Sequence, residues 1–188
     1  ARTIASEFRK YRDINVRGIY FNGFGYDVEN YVTFAMLEDV DADVEAVLRE
    51  YFARQYGPAA EPLRRFYDLV EATYSDPANY PGDDVVHQTE YLAWGFLGTP
   101  ARMKALADLV AEADRLVATG TAAQRRRVDL FKLNLWDYMR EGRRRYEDNQ
   151  KSAGKWDPRT VVCPFLLNAS AGGDPLRVDR VGSPSAAR

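Results

Sequence analysis

Apolar residues recur along most of this chain three and four apart, the spacing of one helix face. Ile4, Phe8 and Tyr11 predict a helix over 3–13. Val28, Tyr31, Val32, Ala35 and Met36 predict a second, with Asp27 as its N-cap and Asn30 at its third helical position. Val44, Val47, Leu48, Tyr51 and Phe52 mark a third, capped by Asp41 or Asp43 and ended by Gly57 and Pro58. Leu63, Phe66, Tyr67, Val70 and Tyr74 continue the series, with Pro58 and Pro62 near the start, where a missing amide matters least. A shorter aromatic helix is expected from about residue 85 to 97. Thr99 or Pro100 then opens a helix whose stripe is Met103, Leu106, Val110, Ala113 and Val117, closed by Gly120. The last helix, over 121–150, carries Val128, Phe131, Leu135, Tyr138 and Met139, and Gly142 is expected to weaken its second half.

One stretch breaks the pattern. In "RGIYFNGFGYDVENY", residues 17–31, the nearly continuous apolar run of Val16, Ile19, Tyr20 and Phe21 suits a strand covered on both faces. Gly23 and Gly25 mark a bend, and a helix start follows. A lone strand cannot pair its own backbone groups, so its partners are expected upstream of Ala1, and the opening "ARTIASEF" lacks an initiator Met. The chain thus reads as mainly α: one strand–helix unit, about five or six helices in a bundle, and a loose tail from residue 153 rich in Gly, Pro, Ser and Ala. Within that tail "TVVCPFLLN" reads as an edge strand at most, because Pro164 cannot donate to a ladder.

Composition narrows the chemistry. Among 188 residues, 46% are hydrophobic, enough for a sizeable core. Twelve Tyr, nine Phe and three Trp can pack that core or line a sugar site, and core packing is the expectation for Trp94, Trp136 and Trp156. Net charge is −2, which argues against a nucleic-acid surface; the arginine runs in "QRRRVDLF" and "EGRRRYED" read as solvated helix faces. A single cysteine, Cys163, excludes an internal disulfide, and a single histidine, His87, is too few for a usual zinc site. No phosphate loop, nucleophile elbow or metal-binding helix is found, so no cofactor and no metal are expected. No apolar run approaches the ~18 residues of a membrane span. Asn168-Ala169-Ser170 fits a glycosylation sequon, a match of a length that chance often supplies.

In sheets flanked by helices, ligands gather at the carboxyl ends of strands. "NGFGYDVEN" holds that position here. Asn22 can donate and accept, Tyr26 can stack on a sugar ring, and Glu29 and Asn30 add a carboxylate and a second amide. Asp27 serves better as a helix cap. Glycoside hydrolysis needs two carboxyl groups about 5–9 Å apart. Asp27 and Glu29, two apart at a helix start, point in different directions, so both catalytic acids are not expected within this chain.

The stretch 16–68, from "VRGIYFNGFG" through "DADVEAVLREYFARQYGPAAEPLRRFYD", resembles a bacterial family of glycoside-hydrolase-like TIM-barrel proteins, many of them secreted. These are similar in layout to α-glucuronidases and β-N-acetylhexosaminidases. Gly18–Phe24, Tyr31–Leu37, Asp39–Val44 and Tyr51–Tyr67 carry the resemblance, and "QYGPAAEPLRRFY" is its most specific part. It implies that residues 1–40 end a (β/α)8 barrel, that 41–152 form the following helical domain, and that 153–188 are a tail or the start of a further module. It also implies a carbohydrate or glycoside ligand touched by Asn22, Tyr26, Glu29 and Asn30, upstream domains of the same polypeptide as partners, and catalytic acids outside these residues. A full barrel needs about 250 residues, and only its end is visible here. The rival reading is a non-enzymatic helical module that docks on neighbouring domains.

Overall fold

The computed structural model describes residues 1–20, 27–82 and 89–151, and every element in them is a helix. Helix α1 (Arg2–Asp13) turns Ala5 and Phe8 inward. It stops because Asn15 adopts the left-handed region at φ 60°, which Asn tolerates better than most residues. The Asn15 N–H then reaches the Arg12 carbonyl at 2.9 Å and the Val16 N–H reaches that of Tyr11 at 2.9 Å. This pair of bonds closes the helix in a Schellman arrangement.

No strand is present among the described residues. The β-segment expected over Val16–Phe21 is, in its described part 16–20, an irregular connection. Ile14, Val16 and Tyr20 face solvent, Tyr20 at 88% exposure, and Ile19 alone of this run packs against the core. The physical reason is that a strand exists only through a partner, and the described residues supply none.

Helix α2 (Asp27–Glu38) buries Val28, Val32, Thr33 and Met36. Asp43 caps α3 (Val44–Tyr56), its side chain accepting from the Glu45 N–H at 2.9 Å. Gly57, at φ 53°, lets the chain turn through the short 3₁₀ segment Gly57–Ala59 into α4 (Ala60–Ser75). Any side chain there would strike Gln124, so both backbone and space select glycine. Thr99 caps α5 (Pro100–Val117), with Pro100 at the first helical position. Thr121 and Gln124 form a reciprocal capping box on α6 (Ala122–Phe131), with bonds of 2.9 and 3.2 Å.

The long last helix runs as predicted but contains a π segment, Lys132–Trp136, before α7 (Asp137–Gln150). The wider turn brings Trp136 into the core beside half-buried Leu135. The aromatic helix near residue 90 is also π-helical over Tyr91–Leu97. Its last carbonyls are satisfied by arginines from two other helices. Arg143 of α7 donates to the carbonyls of Trp94 at 2.5 Å and Gly98 at 3.2 Å. Arg102 of α5 donates to those of Phe96 at 2.6 Å and Leu97 at 3.2 Å.

One contiguous core joins α1 through α7. Its centre is a set of aromatic rings from α3, α4 and α6, with Phe66 meeting Phe131 edge-on at 5.0 Å and 87°. Residues on either side of position 40 share this core: Val32 and Met36 lie in the same cluster as Leu48, Phe52 and Phe66. The expected core tryptophans Trp94 and Trp136 are both buried, whereas Trp156 lies outside the described residues. No helix among the described residues is long and apolar enough to cross a membrane.

Candidate functional site

Of the four residues expected to touch a sugar, Asn22 and Tyr26 lie outside the described residues. Glu29 and Asn30 sit on the first turn of α2, where both are half-buried. Asp27 opens the helix and is exposed, so the two acids stand in different surroundings, as their spacing suggests.

Glu29, like Glu90, has an Oε2 that is inaccessible to solvent and has no hydrogen-bond partner among the described residues. Burial pushes its carboxyl above the ordinary value, and the nearby charges of Glu71 and Asp27 push the same way. A carboxyl in this condition holds its proton more tightly than a surface acid.

Glu71, by contrast, is drawn into an ion network. Burial opposes its ionisation, yet hydrogen bonds from the Ala1 amino group and from Arg2 outweigh that effect and hold its carboxyl low. Arg2 is the hub of the network. Its guanidinium meets Glu45 at 2.5 Å, Glu71 at 2.6 Å and Asp68 at 2.9 Å. Arg64 closes the set from α4 by pairing with Glu45. The hydrogen bond from Arg2 lowers the Glu45 carboxyl, and the same contact raises the Arg2 guanidinium. Helices α1, α3 and α4 are thus tied by charge around one end of the core.

A pair of buried hydroxyls completes the region. Tyr51 donates to the Tyr56 oxygen, and burial raises both phenols. The Asp27 charge acts on both, which places the first turn of α2 near this pair. Sequence reasoning had assigned Tyr51 to the helix stripe, correctly, but periodicity carries no signal for a hydroxyl pair inside it. Nothing in the pattern pointed to Arg2 as a hub either, because its partners lie 43 to 69 residues away.

His87 and Cys163 lie outside the described residues, and among the described ones no group of three or more His, Cys, Asp or Glu is placed to hold a metal ion. Comparison with protein-family models, with curated proteins and with solved structures gave no match.

Proposed function

We propose that this chain is a helical module that docks on a neighbouring domain of its own polypeptide, within a carbohydrate-active protein of the glycoside-hydrolase-like barrel type. The supporting observation is the outer side of α2. Phe34 and Leu37, 56% and 49% exposed, stand opposite the buried Val28, Val32 and Met36. A helix apolar on both sides belongs between two layers of protein, and only one layer is present among the described residues. Exposed Ile14, Val16 and Tyr20, in the segment that leads toward α2, enlarge the apolar surface. In this reading the segment 16–22 acquires its strand partners from the neighbouring domain, and the chain itself contributes no catalytic pair.

A photo-crosslinking residue at position 34 tests this in the polypeptide that contains the chain. Crosslinks from position 34 to residues outside 1–188 are expected; exclusive labelling within the chain, or by solvent, would remove the proposal.

A second reading is favoured by Glu29. Half-buried on the first turn of α2 beside Asn30, its carboxyl is a polar group of the kind that a sugar hydroxyl meets at the rim of a binding cleft. Asn22 and Tyr26 would complete that rim. Replacing Glu29 by Gln and Asn30 by Ala in the same polypeptide should weaken oligosaccharide binding in calorimetric titration. Unchanged affinity would leave docking as the sole function.

A further inference from the structure

Two runs of three arginines occur in this chain, and the structure treats them differently. In the second run, Arg143 pairs with Glu147 at 2.7 Å, while Arg144 pairs with Glu141 at 2.6 Å and Asp148 at 2.7 Å. In the first, Arg125–Arg127, none of the three has a carboxylate partner among the described residues. Arg125 donates to the Gly120 carbonyl at 2.5 Å and Arg127 to that of Arg54 at 3.1 Å, so both are spent on neutral acceptors. Arg126 is exposed and makes neither a hydrogen bond nor an ion pair among the described residues.

Arg126 is the fifth residue of α6, and no carboxylate among the described residues meets it. The nearest acid in sequence is not available either: Asp129 is engaged by Lys132 at 3.2 Å, which also holds Asp114 at 2.6 Å.

Arg126 does not stand alone. Leu130 of α6 follows it at i+4, and Leu133, in the π segment that continues the helix, at i+7; both are exposed, Leu133 at 64%. The buried residues of the same helix, Val128 and Phe131, face the other way. A free guanidinium in line with two bare leucines is the half-site that receives an amphipathic helix, whose anchors repeat at the same spacing.

We infer that this outer face, running from α6 into the π segment after it, docks an acidic amphipathic helix of a partner polypeptide. Two of the partner's apolar side chains cover Leu130 and Leu133, and its carboxylate meets Arg126. Nucleic acid fits the face less well: the leucines offer nothing to phosphates, the free cation is one rather than a track, and the chain's net charge is −2. The surface is separate from α2, so its failure would leave the docking of α2 untouched, and the reverse.

The test is fluorescence anisotropy of the full chain with a designed helical peptide that bears a leucine stripe flanked by glutamates. Its controls are the same composition scrambled and a short single-stranded DNA. The stripe peptide is expected to bind most tightly, and R126E to weaken it about tenfold with loss of its salt dependence. L133S is expected to weaken it about threefold or more. All three side chains of the face are exposed, so both variants should stay folded, which circular dichroism melts check. Equal affinity for the scrambled peptide or the DNA, or wild-type affinity in both variants, would overturn the inference. So would concentration-dependent self-association that R126E abolishes while peptide binding is absent, since the face would then receive a second copy.

Discussion

Gly142 offers the sharpest perturbation of the packing. The sequence places it inside a long helix, where glycine is unfavourable by about 1 kcal/mol relative to alanine. On that basis alone Gly142→Ala should stabilise the protein. The structure reverses the sign. A methyl group at 142 would lie 2.7 Å from Cε2 of Trp94 and closer still to the neighbouring ring carbon. Trp94 has little room to retreat: it is 8% exposed, and on its other side Gly98 approaches so closely that a Cβ there would sit 2.7 Å from Cε3. The indole is held between two glycines, and it pins the π-helical segment Tyr91–Leu97 to α7. Forcing a methyl group into such contact costs about 1–3 kcal/mol. After subtracting the propensity gain, Gly142→Ala should destabilise by up to about 2 kcal/mol. Urea unfolding followed by far-ultraviolet circular dichroism measures this directly. Trp94→Leu should abolish the penalty, giving a coupling energy of about 1 kcal/mol or more in the double-mutant cycle. Gly18→Ala, where an added Cβ meets no atom within 4 Å, is the control and should change stability by less than about 0.5 kcal/mol. A stabilising Gly142→Ala, or additivity with Trp94→Leu, would refute the clamp.

Other consequences follow from the charged groups and from the end of α1. The Glu29 carboxyl is raised, so the folded protein takes up that proton first as pH falls, and stability rises through that window. Above it the ionised form is a burden, so Glu29→Gln should stabilise at pH 7 by about 0.5–1 kcal/mol, a figure discounted for partial exposure, and the gain should fade toward pH 4 in thermal melts. Glu45 and Glu71 have the opposite sign: both are lowered, so their contribution is present above the ordinary carboxylate range and is lost as pH falls through their folded values. Arg2→Met should therefore destabilise by about 1 kcal/mol at neutral pH, less in high salt, and the difference from wild type should shrink below about pH 4. Asn15→Val should destabilise by about 1–2 kcal/mol through its left-handed backbone, while Asn15→Gly should be close to neutral, both read from chemical denaturation.

Much of this fold is legible in the sequence because helices announce themselves locally. The stripes Val28–Val32–Met36 and Met103–Leu106–Val110–Ala113–Val117 are buried as their spacing predicts, and Asp43, Thr99 and Thr121 cap where short polar residues precede apolar periods. Where the pattern misleads, a non-local cause is at work. Val16–Tyr20 has the composition of a strand, but composition cannot supply a partner. Tyr74 keeps the phase of α4 yet lies at its exposed end, where its carbonyl accepts from the Tyr80 hydroxyl at 2.8 Å. The π segment Tyr91–Leu97 escapes periodicity, since Arg102 and Arg143 reach its carbonyls from other helices and Trp94 seats against Gly142. Glu29 was legible as a polar residue at a helix start; its buried, unpartnered oxygen follows only from the packing around it.

The claim on which the account turns is that the outer side of α2 is covered in the working protein. Differential scanning calorimetry of the containing polypeptide, with and without the pair Phe34→Asp and Leu37→Asp, reads it most directly. Both side chains are exposed within this chain, so the pair should leave the melt of residues 1–188 alone nearly unchanged. In the longer polypeptide it should split one cooperative transition into two, or lower its midpoint by several degrees. An identical thermogram for the two proteins would contradict the account.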